Sequence, residues 1–234
     1  MSTILSIETS TTVCSAALHQ QGKLVAFEIT HVPNSAASQL AVMIDKLLKQ
    51  PLPAVAGEDG LVKLEAIAVS SGPGSYTGLR IGAATAKGIC YALSLPLIAV
   101  NSLVLMTSEV NSRLETRNSL LCPMIDARRM EVYTALFDNT LNVVSPVEAK
   151  VIDALSFADP LQNNKILFFG NGADKCKSTI THPNAVFIDN IFPSAEYMGS
   201  IAFDLFKREK FEDVGEFEPA YLKDFIAKKP KSLV

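Results

Sequence analysis

The pattern that most constrains this fold is a strand–turn–strand arrangement that occurs twice along the chain. In each copy a short apolar strand ends in an acidic residue, and a polar turn then leads into two further strands. The predicted strands of the two copies cover residues 4–8, 13–20, 23–30, 120–126, 131–137 and 141–151. Aligning Glu8 with Asp126 gives an offset of 118 residues, at which Ile7 meets Ile125 and the hydrophobic alternation stays in phase. Two halves that begin alike predict a duplicated α/β fold with two lobes, the alternative being a chance match of two hairpins.

A glycine-rich turn joins a buried strand, residues 66–69, to a helix that is predicted to end near Leu93. Free backbone N–H groups and the helix dipole at such a turn favour an anion. Neither common phosphate motif fits, because the P-loop needs lysine where Leu79 stands and the dinucleotide motif needs glycine where Thr77 stands. Two interpretations remain: an anion-binding turn, or glycines that only permit a tight strand-to-helix connection.

Two predicted helices of the first half carry more apolar surface than one small lobe needs to bury. The first, which begins near Ser35, has a wide apolar arc formed by Leu40, Met43, Ile44 and Leu47. The second, after the glycine-rich turn, has a small face and one charged side, formed by Gly82, Ala83, Ala86, Arg80 and Lys87. Because small residues let another helix approach closely, we predict that these nine residues form a partner interface. The alternative is that both helices only line one central core.

The polar stretch 111–118 separates the two copies and predicts two domains, residues 1–112 and 113–234. Further helices are predicted to begin at Asn101-Ser102 and to cover residues 173–180 and 193–210.

Composition excludes several classes of protein. A chain that is 48% hydrophobic and 19% charged can bury a sizeable core and is not disordered. A net charge of −3 provides no bulk basic field for nucleic acid or an anionic membrane. No apolar run approaches the roughly 20 residues of a membrane span, and the N-terminus lacks a signal-peptide pattern. The four cysteines form no C-x-x-C pair, so we expect reduced thiols in a cytoplasmic protein.

Candidate catalytic residues are scarce. His19, His31 and His182 are not spaced as metal-ligand pairs, and no H-E-x-x-H motif is present, so we predict no metal site and no catalytic residue. A kinase-like site needs carboxylates for Mg²⁺ and a phosphate cradle. The residues available for weak nucleotide binding are those of the two acidic strand ends and the adjacent turns: Glu8, Thr9, Ser10, Thr11, Gly72 and Asp126.

Four segments, ETSTTVCSAAL, SSGPGSYTGLRIG, IDARRMEVY and PAYLKDF, resemble in order the bacterial TsaB (YeaZ) family. The resemblance extends over both halves and nearly the whole chain. It implies the duplicated fold of actin, Hsp70 and sugar kinases, which is the ribonuclease H-like or ASKHA fold. TsaB proteins mostly carry Asp where Glu8 stands, and the longer side chain of glutamate would displace a metal ion.

The same resemblance implies a role in tRNA modification. TsaB proteins help to install threonylcarbamoyl on the adenosine beside the anticodon, as non-catalytic partners of the paralogue TsaD and with the ATPase TsaE. ATP and a metal are therefore expected on the partner subunits, with no tightly bound cofactor here. The tRNA is expected to bind only through the complex, where Arg128, Arg129 and the C-terminal lysines could add contacts, and the chain alone is expected to form a homodimer. The alternative is a phosphotransferase-like or glycoprotease-like enzyme in its own right.

Overall fold

The computed structural model describes residues 2–50 and 62–223. Within these ranges ten strands form two five-stranded sheets. The strands of the first sheet are β1 (Thr3–Glu8), β2 (Cys14–Gln20), β3 (Lys23–Thr30), β4 (Ala66–Gly72) and β5 (Leu97–Asn101). Those of the second sheet are β6 (Ser119–Asp126), β7 (Glu131–Phe137), β8 (Val143–Val151), β9 (Lys165–Phe169) and β10 (Ala185–Ile188).

The two sheets have the same topology. Their strand orders are β3-β2-β1-β4-β5 and β8-β7-β6-β9-β10. In each sheet the first three strands pair antiparallel and the last two join them in parallel. The repeated order confirms the predicted duplicated two-lobe α/β fold of the ASKHA, ribonuclease H-like type.

Helices cover both sheets. Those in the described ranges are α1 (Ala36–Lys49), α2 (Tyr76–Leu93), α3 (Ser102–Arg113), α4 (Ala158–Asn163), α5 (Gly199–Lys207) and the 3₁₀ helices Asp174–Cys176 and Ala195–Tyr197. Helices α1 and α2 pack side by side on the outer face of the first sheet, and α4 with the 3₁₀ helix Asp174–Cys176 covers the matching face of the second. The asparagine predicted as the start of α3 caps it, since the Asn101 side chain accepts hydrogen bonds from two amides of its first turn.

Two helices tie the lobes together. Helix α3 lies between the sheets, with Met106 and Val110 in the core of the second lobe and Leu105 in that of the first. Helix α5, from the second half of the sequence, returns to the first sheet and buries Ala202 there. The predicted domain boundary at residues 112/113 stays a prediction. Helix α3 of the first half packs on the second lobe, and helix α5 of the second half packs on the first.

The two hairpins are not in the register that the offset of 118 residues predicts. Glu8 pairs with Ser15 across the first hairpin, whereas Asp126 pairs with Val132, so the second turn is one residue shorter. A shift of one residue moves a strand's side chains to the opposite face. Ile7 accordingly faces α1 and α2, while Ile125 faces α3. The predicted equivalence of Glu8 and Asp126 is therefore wrong by one position.

Two predicted helices of the second lobe are shorter than expected. Over residues 173–180 the chain forms only the 3₁₀ helix Asp174–Cys176 and the hydrogen-bonded turns around it. The helix predicted from Pro193 begins only at Gly199. Before it, the Glu196 carbonyl lies 3.1 Å from His19 Nε2 and so leaves the helical hydrogen-bond ladder.

Some predictions fall outside the described residues. The C-terminal lysines named as possible tRNA contacts, Lys228, Lys229 and Lys231, lie beyond residue 223. Across the part that the structure describes, no helix is both long and apolar enough to cross a membrane.

Candidate functional site

The glycine-rich turn packs directly on the turn between β1 and β2. The Ser75 amide donates a hydrogen bond to the Ser10 carbonyl at 2.6 Å, and the Thr9 hydroxyl donates to the Gly78 carbonyl at 2.8 Å. A Cβ added to Gly74 would lie less than 3.0 Å from the Ser10 carbonyl oxygen, and a Cβ added to Gly78 would lie as close to the Thr9 carbonyl oxygen. The glycines are therefore needed for close backbone contact, and the chain itself fills the position in front of α2.

The N-terminal amides of α2 are also partly satisfied within the chain. The Ser75 side chain accepts a hydrogen bond from the Gly78 amide at 3.2 Å and so acts as the N-cap. A phosphate cradle at a helix N-terminus requires free, outward-facing N–H groups. Of the two interpretations of the glycine-rich turn, this packing favours the tight connection.

Glu8 is sealed beneath these turns. Its carboxylate Oε1 accepts a hydrogen bond from the Ser10 amide, while Oε2 has no partner of hydrogen-bonding geometry in the described residues. Burial raises the pKa of Glu8 to about 7, against the opposing effect of hydrogen bonds from Ser10, Ser70 and Thr9. Because the Glu8 side chain is fully buried, its carboxylate does not face an open site that a metal ion could enter.

The six residues predicted to bind nucleotide do not share one open cleft. Glu8, Thr9, Ser10 and Gly72 are buried and Thr11 is half-buried, while Asp126 is exposed in the second lobe. There the Asp126 carboxylate forms an ion pair with Lys175 and accepts a hydrogen bond from the Arg128 amide. Nucleotide binding at these residues stays a prediction that this packing does not favour.

A C-terminal strap, residues 212–223, crosses α2 and the glycine-rich turn. Lys87 donates hydrogen bonds to the carbonyls of Gly215 and Phe217, at 3.0 and 3.1 Å. The Ala220 amide donates to the Ser71 carbonyl at 2.7 Å. The Phe217 side chain is buried in the core of the first lobe. The strap therefore covers the side of α2 that leads to the glycine-rich turn.

The strap also reaches the second lobe. The Tyr221 ring packs on Tyr76, with ring centroids 4.8 Å apart, and Lys223 forms an ion pair with Glu131 at the start of β7. Sequence reasoning did not assign the strap a structural role, although its motif PAYLKDF was one of the four family segments. Nothing in hydrophobic periodicity indicates where an extended segment will lie.

A groove of about 330 Å³ separates the strap from α2. Its lining comes from both elements and consists of Arg80, Ala83, Ala84, Lys87, Phe217, Glu218, Pro219 and Tyr221. The Arg80 guanidinium lies over the Tyr76 ring, 4.3 Å from its centroid. The groove is mixed in charge, because Glu218 faces the same space as Arg80 and Lys87.

Most of the predicted interface residues face the lobe's own core. On α1 and α2 the buried members of the predicted interface are Leu40, Met43, Ile44, Leu47, Gly82, Ala83 and Ala86. The wide arc on α1 is explained by packing against the sheet and between the two helices. A partner interface at these seven positions stays a prediction that their burial does not favour. Of the nine, Arg80 is exposed and Lys87 is half-buried.

A different side of α2 is open. Ala84 and Gly88 are exposed there, and a Cβ at Gly88 would meet nothing within 4 Å. Tyr91 is 86% exposed and Leu93 is 56% exposed on the same helix. Ala84, Gly88 and Tyr91 follow one another at i, i+4 and i+7 and so share one side, which we call the exposed face of α2.

Each histidine contacts groups other than a second histidine: His31 packs edge-on to Phe192, and the His182 ring accepts a hydrogen bond from the Asn184 amide. His19 is buried, with Nδ1 3.0 Å from the Ser6 hydroxyl and Nε2 facing the Glu196 carbonyl, and burial lowers its pKa. His31 is exposed. Among the described residues, no three His, Cys, Asp or Glu side chains are grouped as metal ligands.

Comparisons with known proteins agree on one family. A family model described as TsaD, tRNA N6-adenosine threonylcarbamoyltransferase, matches residues 30–231. The protein TsaB of Bacillus subtilis is 31% identical over 94% of this chain and 94% of its own length. The chain belongs to the TsaB (YeaZ) family. Escherichia coli TsaB is 29% identical, with 96% of each chain covered.

Solved structures agree with this assignment. YeaZ from Pseudomonas aeruginosa superposes with a TM-score of 0.79 at 25% identity, over 95% of this chain and 100% of that one. The curated relatives are named tRNA threonylcarbamoyladenosine biosynthesis proteins.

The contact between the two turns predicts opposite effects of alanine at two glycines of α2. Gly78→Ala should destabilise the protein by about 3 kcal/mol, because its Cβ would displace the Thr9 backbone. Gly88→Ala, the matched control in the same helix, should stabilise it by up to about 1 kcal/mol, because alanine favours a helix over glycine. Urea unfolding measures both changes, and equal effects at the two sites would contradict the packing.

Burial of Glu8 predicts a distinctive pH dependence of stability. With a pKa raised from 4.5 to about 7, the folded protein holds a proton that the unfolded chain has lost. The wild type should therefore lose stability, relative to Glu8→Gln, as the pH rises from about 4.5 to 7, by up to about 3 kcal/mol. Urea unfolding of both proteins at several pH values measures the difference.

A second buried carboxyl group, that of Glu109, does not affect the difference in stability between the two proteins. Burial raises its pKa to about 7 as well, but it is present in both proteins and its contribution cancels. Parallel stability curves for wild type and Glu8→Gln across this pH range would show that Glu8 is not held protonated.

Proposed function

We propose that this chain is a non-catalytic pairing subunit in the biosynthesis of N6-threonylcarbamoyladenosine in tRNA, at the adenosine next to the anticodon. It pairs with a TsaD-type paralogue and works with the ATPase TsaE. The names of its curated relatives support the pathway. The observation that supports the non-catalytic role is the packing at the start of α2, where the Ser75 amide bonds to the Ser10 carbonyl and the Gly78 amide to the Ser75 side chain, so neither N–H group is free for a phosphate.

The alternative of a phosphotransferase-like enzyme is less well supported. Such an enzyme needs ionised carboxylates around Mg²⁺. Here the Glu8 side chain is fully buried, and Asp126 lies in the other lobe, paired with Lys175. A glycoprotease-like activity would need a metal or nucleophile, yet His19 is buried between Ser6 and Glu196. ATP and a catalytic metal are therefore assigned to the partner subunits.

The exposed face of α2 supports pairing through helices. Ala84 and Gly88 allow a helix to approach closely, and Tyr91 offers a large apolar side chain beside them. On the neighbouring helix α1, Val42 is also 60% exposed. A paralogue of the same fold would present two corresponding helices. In its absence we expect the same face to pair with a second copy of this chain.

The four cysteines are consistent with a cytoplasmic location. All four are buried as free thiols, a state that a reducing compartment maintains.

Substitution of Gly88 tests the docking face. Gly88→Gln should fold as the wild type does, because its side chain enters open space, but should weaken pairing with the paralogue and with itself at least tenfold, about 1.4 kcal/mol. Substituting a charged residue for Met43 or Ala83 would test the stability of the core rather than pairing, since both side chains are buried. Ser200→Gln, on the exposed side of α5, is the control that should pair normally. Sedimentation with circular dichroism measures both properties, and unchanged pairing of Gly88→Gln would refute this face.

The absence of independent catalysis is also testable. The purified chain should have no peptidase activity, no ATP turnover and no metal that survives chelation, whereas tRNA modification by the paralogue should require it. Metal analysis and turnover assays, alone and with the paralogue, measure this. One equivalent of zinc or iron retained after chelation would overturn the proposal.

A further inference from the structure

We propose that a basic ridge, formed by Arg128, Arg129, Lys175 and Lys223, contacts the phosphate backbone of the RNA substrate when the chain is in its complex. The inference rests on the proposed function and adds the surface through which this subunit meets RNA.

Two adjacent arginines stand at the tip of the turn between β6 and β7. Arg128 and Arg129 are both exposed, and both have left-handed backbone conformations, with φ of +69° and +50°. Glycine and asparagine adopt this region more readily than arginine does. A residue that is poorly suited to its backbone position points to a use for its side chain.

The charge of these two arginines is not balanced nearby. The two carboxylates of the turn are already paired, Asp126 with Lys175 and Glu131 with Lys223. None of the ion pairs formed among the described residues includes Arg128 or Arg129. The ridge therefore carries two surplus positive charges, although the chain as a whole is acidic.

The two lysines fix the ridge to both the hairpin and the strap. Lys175 donates a hydrogen bond to the Glu131 carbonyl at 2.6 Å, in addition to its pair with Asp126. Lys223 brings the end of the strap to the same turn. Arg80 is left out of the ridge, because Glu218 shares its groove and offsets its charge.

The shape and chemistry of the ridge fit a polyanion better than a small ligand. Small molecules bind in concave, largely apolar sites, whereas these arginines project from an exposed turn. A guanidinium group matches the geometry of a phosphate, and a nucleic acid presents phosphates in a row. Because only two charges are in surplus, the contact adds to RNA binding by the complex and gives weak binding by the chain alone.

The test uses the double variant Arg128→Asn/Arg129→Asn. Asparagine removes both charges and suits the left-handed backbone, so the turn should fold at least as well. The control is Arg117→Gln/Lys210→Gln, which removes two exposed charges outside the ridge. A second variant, Arg128→Lys/Arg129→Lys, keeps the charge and should retain most of the binding.

Each protein is combined with the TsaD-type paralogue, and binding of an unmodified tRNA transcript is measured by fluorescence anisotropy at several salt concentrations. Relative to the control, the asparagine variant should bind roughly tenfold more weakly, with a salt dependence (the slope of log K against log salt) smaller by roughly 1 to 2. Sedimentation of the same mixtures should show normal pairing with the paralogue.

The outcomes separate the ridge from the proposed function. If the wild type pairs and the asparagine variant binds tRNA as the control does, the ridge is overturned while the pairing function stands. If the asparagine variant loses pairing but keeps RNA affinity within the residual complex, the ridge contacts the paralogue and the RNA assignment is overturned. If the wild-type chain does not pair at all, the proposed function and the ridge both fall.

Discussion

Direct backbone contact between the glycine-rich turn and the β1–β2 turn is the constraint on which the first lobe depends. The Ser75 amide and the Ser10 carbonyl can approach to 2.6 Å only because no side chain stands between the two segments. This contact sets where α2 begins and places its small face against the sheet. It also closes the space above Glu8, whose side chain is fully buried.

The lobes share a topology but not a set of helices. In the first lobe, α1 and α2 are long and lie side by side, whereas their counterparts in the second lobe are α4 and a single 3₁₀ turn, Asp174–Cys176. Duplication therefore preserved the sheets and reduced the outer helices of one copy. The long helices of the first lobe leave an exposed apolar side, and this asymmetry explains why one lobe is better suited to helix-mediated pairing than the other.

The sequence predicted the sheets well, because alternating and buried strands have a direct hydrophobic signature. It also identified helices α1, α2 and α3 and the Asn101 cap. It failed where the outcome depends on three-dimensional contact. The one-residue difference between the two hairpin turns left hydrophobic alternation intact while reversing faces, so Ile7 and Ile125 were equated wrongly.

The candidate site was harder to predict than the fold. A face of small residues on α2 can equally pack on a sheet or on a partner, and periodicity does not distinguish them; Gly82 and Ala83 proved to be core. Burial of Glu8 and the path of the strap depend on residues far apart in sequence. The positive φ angles of Arg128 and Arg129 likewise arise from the short turn of the second hairpin and have no compositional signal.

The strap contacts both lobes and so restrains their movement relative to each other. Towards the first lobe, the strap is held by the hydrogen bonds from Lys87 to Phe217 and from Ala220 to Ser71, and towards the second, Lys223 pairs with Glu131. With α3 between the sheets, these contacts oppose the opening motion that two lobes joined by a single connection would have. A partner then meets a surface whose shape is set in advance, and association loses less conformational entropy than it would with freely moving lobes.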